Sequence, residues 1–287
     1  MTNQEEIIMT ASSAPGFIRT DDGVDLFYRD WGDGAPVLFV AGWSLPSDMW
    51  QYQMLALSQR GLRCIAFDRR GHGRSSDPGR GYDFDTLADD IAAVIEALDL
   101  RRVTLVGHSM GCNEIVRYLS RHGDARVARV ALLGTMTPMI CHDDSNPDGI
   151  DPALLDYFRS HQLGRDFPQW VDENMPPFLA PDTSPGIANW LRQLALGASL
   201  QALVECNRAL AAADFRNEMT RIAKPVLLIA GDADVSAPFA LTARPSAALI
   251  PDARLQLYQG APHGMFVTHM ERVNADLLDF LDAAHRA

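Results

Sequence analysis

An α/β fold, with a mostly parallel sheet covered by helices on both faces, is predicted by three features of the chain. Short apolar runs alternate with segments of helical periodicity. One such run, Val103-Thr104-Leu105-Val106, ends in Gly107-His108-Ser109-Met110-Gly111, and a helical pattern follows at once. The alternation stops near Thr135 and resumes at Pro225, so the residues between read as an insertion.

Taken in order, Gly16 to Trp31 reads as a hairpin turning at Asp22-Gly23. Pro36-Val37-Leu38-Phe39-Val40-Ala41 is a continuous apolar run, as a buried parallel strand requires. Ser47 or Asp48 can cap a helix running to about Arg60. Arg63 to Phe67 is the next strand, and the charged, Gly-rich stretch Asp68 to Ser75 is a loop. Leu87, Ile91, Val94, Ile95 and Leu98 make one apolar helical face. The strand at 103–108 follows, then a helix to about His122 and a sixth strand at Val127 to Leu133.

Residues 136–215 are expected to form a helical lid, inserted after the sixth strand. Thr137 to Asp182 is rich in Pro, Asp and aromatics, and 187–212 reads as helix. Chemistry in parallel sheets gathers at the carboxyl ends of strands, and an insertion leaving such an end starts beside it. Pro225 to Gly231 is again a buried strand. Phe239 to Ile250 can be helical, with Pro245 bending it or starting it late. Leu255 to Tyr258 is a strand, and 271–284 is a closing amphipathic helix. The core is therefore 15–135 plus 216–287, with 1–14 a loose extension.

Composition narrows the function. The chain has 287 residues, 47% of them hydrophobic, enough for a sizeable core. A formal net charge of −12 argues against a nucleic-acid partner and offers nothing to an anionic membrane. Cys64, Cys112, Cys141 and Cys206 show no CxxC spacing, so neither a zinc nor a redox site is expected. Free thiols, an acidic first segment unlike a secretion signal, and no apolar run near the roughly 18 residues of a membrane span suggest a cytoplasmic protein. A homo-oligomer is left open.

Gly-x-Ser-x-Gly between strand and helix is the setting of a nucleophilic serine. The glycines let the backbone pass close to its neighbours, and Ser109 stands at the tip of the turn. The plainer alternative is a serine that only caps the helix. A serine hydroxyl is a poor nucleophile at neutral pH; it needs a base, and the base needs an orienting acid. After the strand ending at Gly231 come Asp232 and Asp234; after the strand ending at Tyr258 comes His263. Spacing alone leaves Asp232 and Asp234 open, one of them shaping the turn. The oxyanion of an acyl transfer needs two N–H donors, expected from Met110 and from Trp43 in the loop after 36–41. The charges of Asp68 to Ser75 are expected to pair and brace the strand ends. His108 is expected to hold the turn rather than carry protons.

Gly42-Trp43, Asp68-Arg69-Arg70-Gly71-His72-Gly73-Arg74-Ser75, Gly107-His108-Ser109-Met110-Gly111, Gly231-Asp232-Ala233-Asp234 and Ala261-Pro262-His263-Gly264 together resemble the α/β-hydrolase fold family. The resemblance is to its cofactor-free haloperoxidase and aryl-esterase branch, covers roughly 17–285, and is weakest in the lid. It implies Ser109 as nucleophile, Asp234 as the acid, His263 as base, Trp43 and Met110 as oxyanion donors, and no metal or other cofactor. It also implies an apolar acyl pocket, for which Trp43, Met136, Ile140, Phe158, Trp190, Val235, Phe239 and Met265 are candidates. The chain departs from the family with Ala41-Gly42 where His-Gly is usual, Cys112-Asn113 after the turn, and Ser44 and Pro46 in a loop often more apolar. The expected function is a serine hydrolase acting on small carboxylic esters through an acyl-enzyme. Lactone, amide or peracid chemistry at the same residues is the alternative within enzymes, and a silent ligand-binding protein the alternative outside them.

Overall fold

The structure, a computed structural model, describes residues 16–282. The extension expected at 1–14 lies outside the described residues. Eight strands form one sheet: β1 (Phe17–Arg19), β2 (Asp25–Trp31), β3 (Ala35–Val40), β4 (Leu62–Phe67), β5 (Val103–His108), β6 (Val127–Leu133), β7 (Val226–Gly231) and β8 (Ala253–Tyr258). Their order across the sheet is β1-β2-β4-β3-β5-β6-β7-β8. β1 and β2 make the expected hairpin, and β2 meets β4 antiparallel; every other pairing is parallel.

The two-residue period of a strand sorts side chains between the faces. On β3, Leu38 and Val40 pack with one core cluster, while Val37 and Phe39 pack with the other. The first cluster is covered by α2 (Phe84–Ala97) and α3 (Met110–His122). The second is covered by α1 (Gln51–Ser58), entered through a 3-10 turn at Ser47–Trp50, and by the last helix of the chain. β5 lies between β3 and β6, and all six of its residues are buried. Its exit is therefore flanked by strands on both sides and helices on both faces.

Between β6 and β7 come α4 (Pro152–Tyr157), a π-helical turn (Phe158–Leu163), α5 (Gly164–Phe178), α6 (Pro185–Leu196), α7 (Leu200–Ala212) and the single turn α8 (Arg216–Met219). Three of the prolines that obscure this region stand where helices begin. Pro152 and Pro185 are at helix starts, behind the capping side chains of Asp151 and Ser184. Inside α5 the backbone kinks at Asp166, whose carboxylate accepts the Gln169 N–H, so Pro168 falls in a new first turn. The single helix expected at 187–212 is two, α6 and α7. Gly197 ends the first, and the Ser199 N–H then donates to Gly71 O at 2.8 Å, tying the insertion to the 68–75 loop.

The chain closes with α9 (Ala243–Leu249), a single turn α10 (Met265–Thr268) and α11 (Met270–Asp282). α9 starts later than Phe239, with Pro245 in its first turn. Among the described residues, no helix is long and apolar enough to cross a membrane.

Candidate active site

β5 delivers Ser109 at φ +53° and ψ −121°, a conformation costly for a residue with a side chain. Two glycines permit it. A Cβ on Gly107 would stand 2.8 Å from Ile115 and 2.9 Å from the Cys112 nitrogen; one on Gly111 would stand 2.5 Å from Val40 O. α3 thus starts hard against β3, with Ser109 at its N-terminal end. Ser109 is 7% exposed and lines a cavity of about 350 Å³.

His263 lines the same cavity, from the loop after β8. Its Nδ1–H donates to Asp234 Oδ2 at 2.7 Å, which leaves Nε2 free to accept a proton. Asp234 Oδ1 accepts the N–H groups of Ser236 (2.9 Å) and Ala237 (2.7 Å), so the carboxylate is held on both sides. Of the two aspartates that spacing left open, Asp234 meets the imidazole. Asp232 is exposed and accepts the Gly260 N–H at 2.6 Å, bridging two loops. Ser109 and His263 share the cavity with no hydrogen bond between them among the described residues; such contacts commonly close when substrate seats.

The Trp43 and Met110 backbone N–H groups have no hydrogen-bond partner among the described residues. Both flank Ser109, because Gly42 lies against it: a Cβ on Gly42 would stand 3.4 Å from Ser109 Cβ. The next residue, Ser44, is at φ +66° and lines the cavity. The Trp43 ring is fixed by its own Nε1–H, which donates to Leu203 O at 2.9 Å, and by edge contacts with Phe167 and Trp170.

The charged 68–75 loop braces this floor. Arg69, 2% exposed, donates to Ala41 O (2.6 Å), Gly42 O (3.2 Å) and Glu114 Oε1 (2.7 Å). It thereby joins the loop carrying Trp43 to the helix carrying Met110. Arg70 pairs with Asp90 and Asp22. Burial pushes the Glu114 carboxyl up to about 7 against the pull of Arg69. His108, buried and beside His263, is held neutral, its pKa well below the usual imidazole value. Its Nε2–H donates to His263 O at 3.0 Å, and the two rings lie 4.6 Å apart.

Of the eight pocket candidates, Trp43, Met136, Ile140, Phe158 and Val235 line the cavity. Trp190, Phe239 and Met265 do not. Trp190 turns to the far side of α6 and packs edge-on against Tyr52. Met265 is fully buried in the core beneath the sheet, and Phe239 is half-buried in the stretch before α9. Several wall residues carried no local signal in the sequence: Trp170, Val171, Phe178, Leu191, Leu210 and Asn207, all on helices of the insertion. Gly134 belongs with them. At φ +51°, a Cβ there would stand 3.1 Å from His263 Nδ1, and a glycine closing a buried strand was the available clue.

The family model for the alpha/beta hydrolase fold matches residues 35–270. The chain belongs to the α/β-hydrolase family. A non-heme haloperoxidase of Rhodococcus erythropolis is 42% identical to it over 93% of this chain and 99% of that one. A bifunctional esterase/perhydrolase of Acinetobacter calcoaceticus is 38% identical over the same shares. Among solved structures, an esterase from Exiguobacterium antarcticum superposes with a TM-score of 0.89 at 31% identity, covering 93% of this chain and 98% of that one. The resemblance to the haloperoxidase and esterase branch of the α/β hydrolases thus extends over nearly the whole chain.

Proposed function

We propose that this α/β hydrolase cleaves small carboxylic esters with Ser109 as nucleophile. The observation that carries the reading is the His263–Asp234 pair, 2.7 Å apart, in one cavity with a serine held at a strained turn. His263 Nε2 takes the Ser109 hydroxyl proton as Oγ attacks the ester carbonyl. The carbonyl oxygen becomes an oxyanion, received by the N–H groups of Trp43 and Met110; a donor of this kind is worth roughly 3 kcal/mol of barrier. The tetrahedral intermediate collapses, the alcohol leaves with the proton from His263, and the acyl group stays on Ser109. Water, deprotonated by His263, then releases the acid. The helices between β6 and β7 act as the lid, since Ile140, Phe158, Trp170 and Leu191 wall the space where the acyl and alcohol groups sit.

Wild-type protein is expected to hydrolyse short p-nitrophenyl esters, and Ser109→Ala to lose at least about 10³-fold in kcat. A fluorophosphonate should add one label, located by peptide mass spectrometry at Ser109. Equal rates in the two proteins would remove the proposal, and so would labelling elsewhere.

The names of the relatives support a second activity at the same serine. Hydrogen peroxide in place of water would convert the acyl-enzyme to a peracid and free Ser109. The peracid would then oxidise bromide outside the site, so no metal takes part. Dye bromination in acetate, bromide and peroxide should vanish in Ser109→Ala.

A further inference from the structure

We propose that Asn207 makes this site selective for acyl groups that carry a hydrogen-bond acceptor along the chain, such as an ether or ketone oxygen, over plain alkyl chains. The inference rests on the ester reading above and adds the substrate class.

The cavity has two unlike walls. Val171, Phe178 and Leu191 belong to one, and the Phe178 ring meets the His263 imidazole edge-on at 5.6 Å. The base gives its proton to the departing alcohol, so the alcohol leaves on the Phe178 side. Ile140, Ile150 and Leu210 pack with the other core cluster and make a second wall, which is left to the acyl group. Asn207 projects from α7 into this otherwise apolar wall.

The orientation of its amide follows from its partner. Asn207 Oδ1 accepts from Arg159 Nη1 at 2.7 Å. A guanidinium has donors only, so the oxygen must face it and the nitrogen must turn away. Arg159 is itself 10% exposed and paired with Asp156, and it does not line the cavity. Asn207 Nδ2 has no hydrogen-bond partner among the described residues, which leaves its two N–H groups to whatever occupies the cavity. An alkyl chain there strips water from these donors and returns nothing; an acceptor on the chain replaces the lost hydrogen bond. Sites that present a polar group discriminate strongly against analogues lacking the counterpart. Asn207 is half-buried, which puts the expected preference near the low end, about tenfold.

The test compares kcat/KM for three p-nitrophenyl esters of equal chain length: hexanoate, its ether analogue 3-ethoxypropanoate, and its ketone analogue 5-oxohexanoate. Each is normalised to its own rate with hydroxide. Wild-type enzyme should favour at least one acceptor ester about tenfold over hexanoate. Asn207→Leu should bring that ratio to about 1, and Arg159→Met, which frees the amide to turn, should lower it part-way. The readout is a ratio, so a loss common to all three esters, through folding or otherwise, drops out. A wild-type ratio near 1 would overturn the proposal, as would an unaltered ratio in Asn207→Leu, with the ester reading intact. Failure to turn over any of the three, with no fluorophosphonate label at Ser109, would instead sink the ester reading itself.

Discussion

Asp232 and Asp234 are the same residue type, two positions apart, after the same strand, yet their surroundings give them different work. Asp234 is buried, receives two backbone N–H groups on one oxygen and the imidazole of His263 on the other. In the proposed reaction it fixes the tautomer that leaves Nε2 ready for the serine proton. Asp232 only caps the Gly260 N–H at the surface. Asp234→Asn is therefore expected to lower kcat by roughly 10⁴-fold, because an amide favours the wrong tautomer. Asp232→Asn should stay within about threefold of wild type, as an exposed substitution does. Steady-state kinetics on p-nitrophenyl acetate checks both; a larger loss at Asp232 than at Asp234 would reverse the assignment. His108 shows the same dependence on surroundings. Residue type makes it a candidate base, but burial and the neighbouring imidazole keep it neutral, with its N–H committed to the His263 carbonyl. Its N–H holds the backbone of His263, and the proposed proton transfer does not use it.

The 68–75 loop and α3 are coupled through the buried Arg69–Glu114 pair. That the loop's charges would brace strand ends was readable from its composition. Their partners were not, because Glu114 stands 45 residues and Asp90 20 residues away in sequence. The pair also makes stability depend on pH. Burial raises the Glu114 carboxyl from 4.5 to about 7, and its Oε2 has no hydrogen-bond partner among the described residues. The folded protein therefore holds this proton more tightly than the unfolded chain. The stabilising contribution is full below pH 4.5 and is lost as pH rises through about 7. Asp90, raised to about 6 by burial, adds a smaller contribution of the same sign. Glu114→Gln should flatten the fall of the urea midpoint between pH 4.5 and 7; an unaltered slope would show that the carboxyl does not titrate there.

At the level of the molecule, the site is a space enclosed between the carboxyl edge of the sheet and the helices inserted after β6. A volume of about 350 Å³ suits a small substrate. Val171, buried on α5, lines it well away in sequence from the reacting groups. Val171→Trp should fill part of the alcohol side, raising KM for p-nitrophenyl acetate at least about tenfold while methyl acetate is affected much less. A parallel loss on both esters would place Val171 outside the substrate path.

The sheet, its β1–β2 hairpin, the strained turn at Ser109 and the order Ser, Asp, His were legible in the sequence. Each is written in local chemistry: continuous apolar runs for buried strands, glycines where a Cβ cannot fit, and polar residues stranded at strand ends. Spacing left Asp234 level with Asp232 and only the family resemblance implied Asp234, which the structure sets against the imidazole; tertiary structure alone made the one helix expected at 187–212 into two, and separated Phe158, which lines the cavity, from Trp190, which does not. The physical reason is the range of the interactions. A strand or a tight turn is decided by neighbours a few residues away, whereas a cavity wall depends on which face each helix turns inward. That is settled only when distant segments pack, as when Arg159 takes the oxygen of Asn207 from 48 residues off and leaves its N–H groups to the pocket.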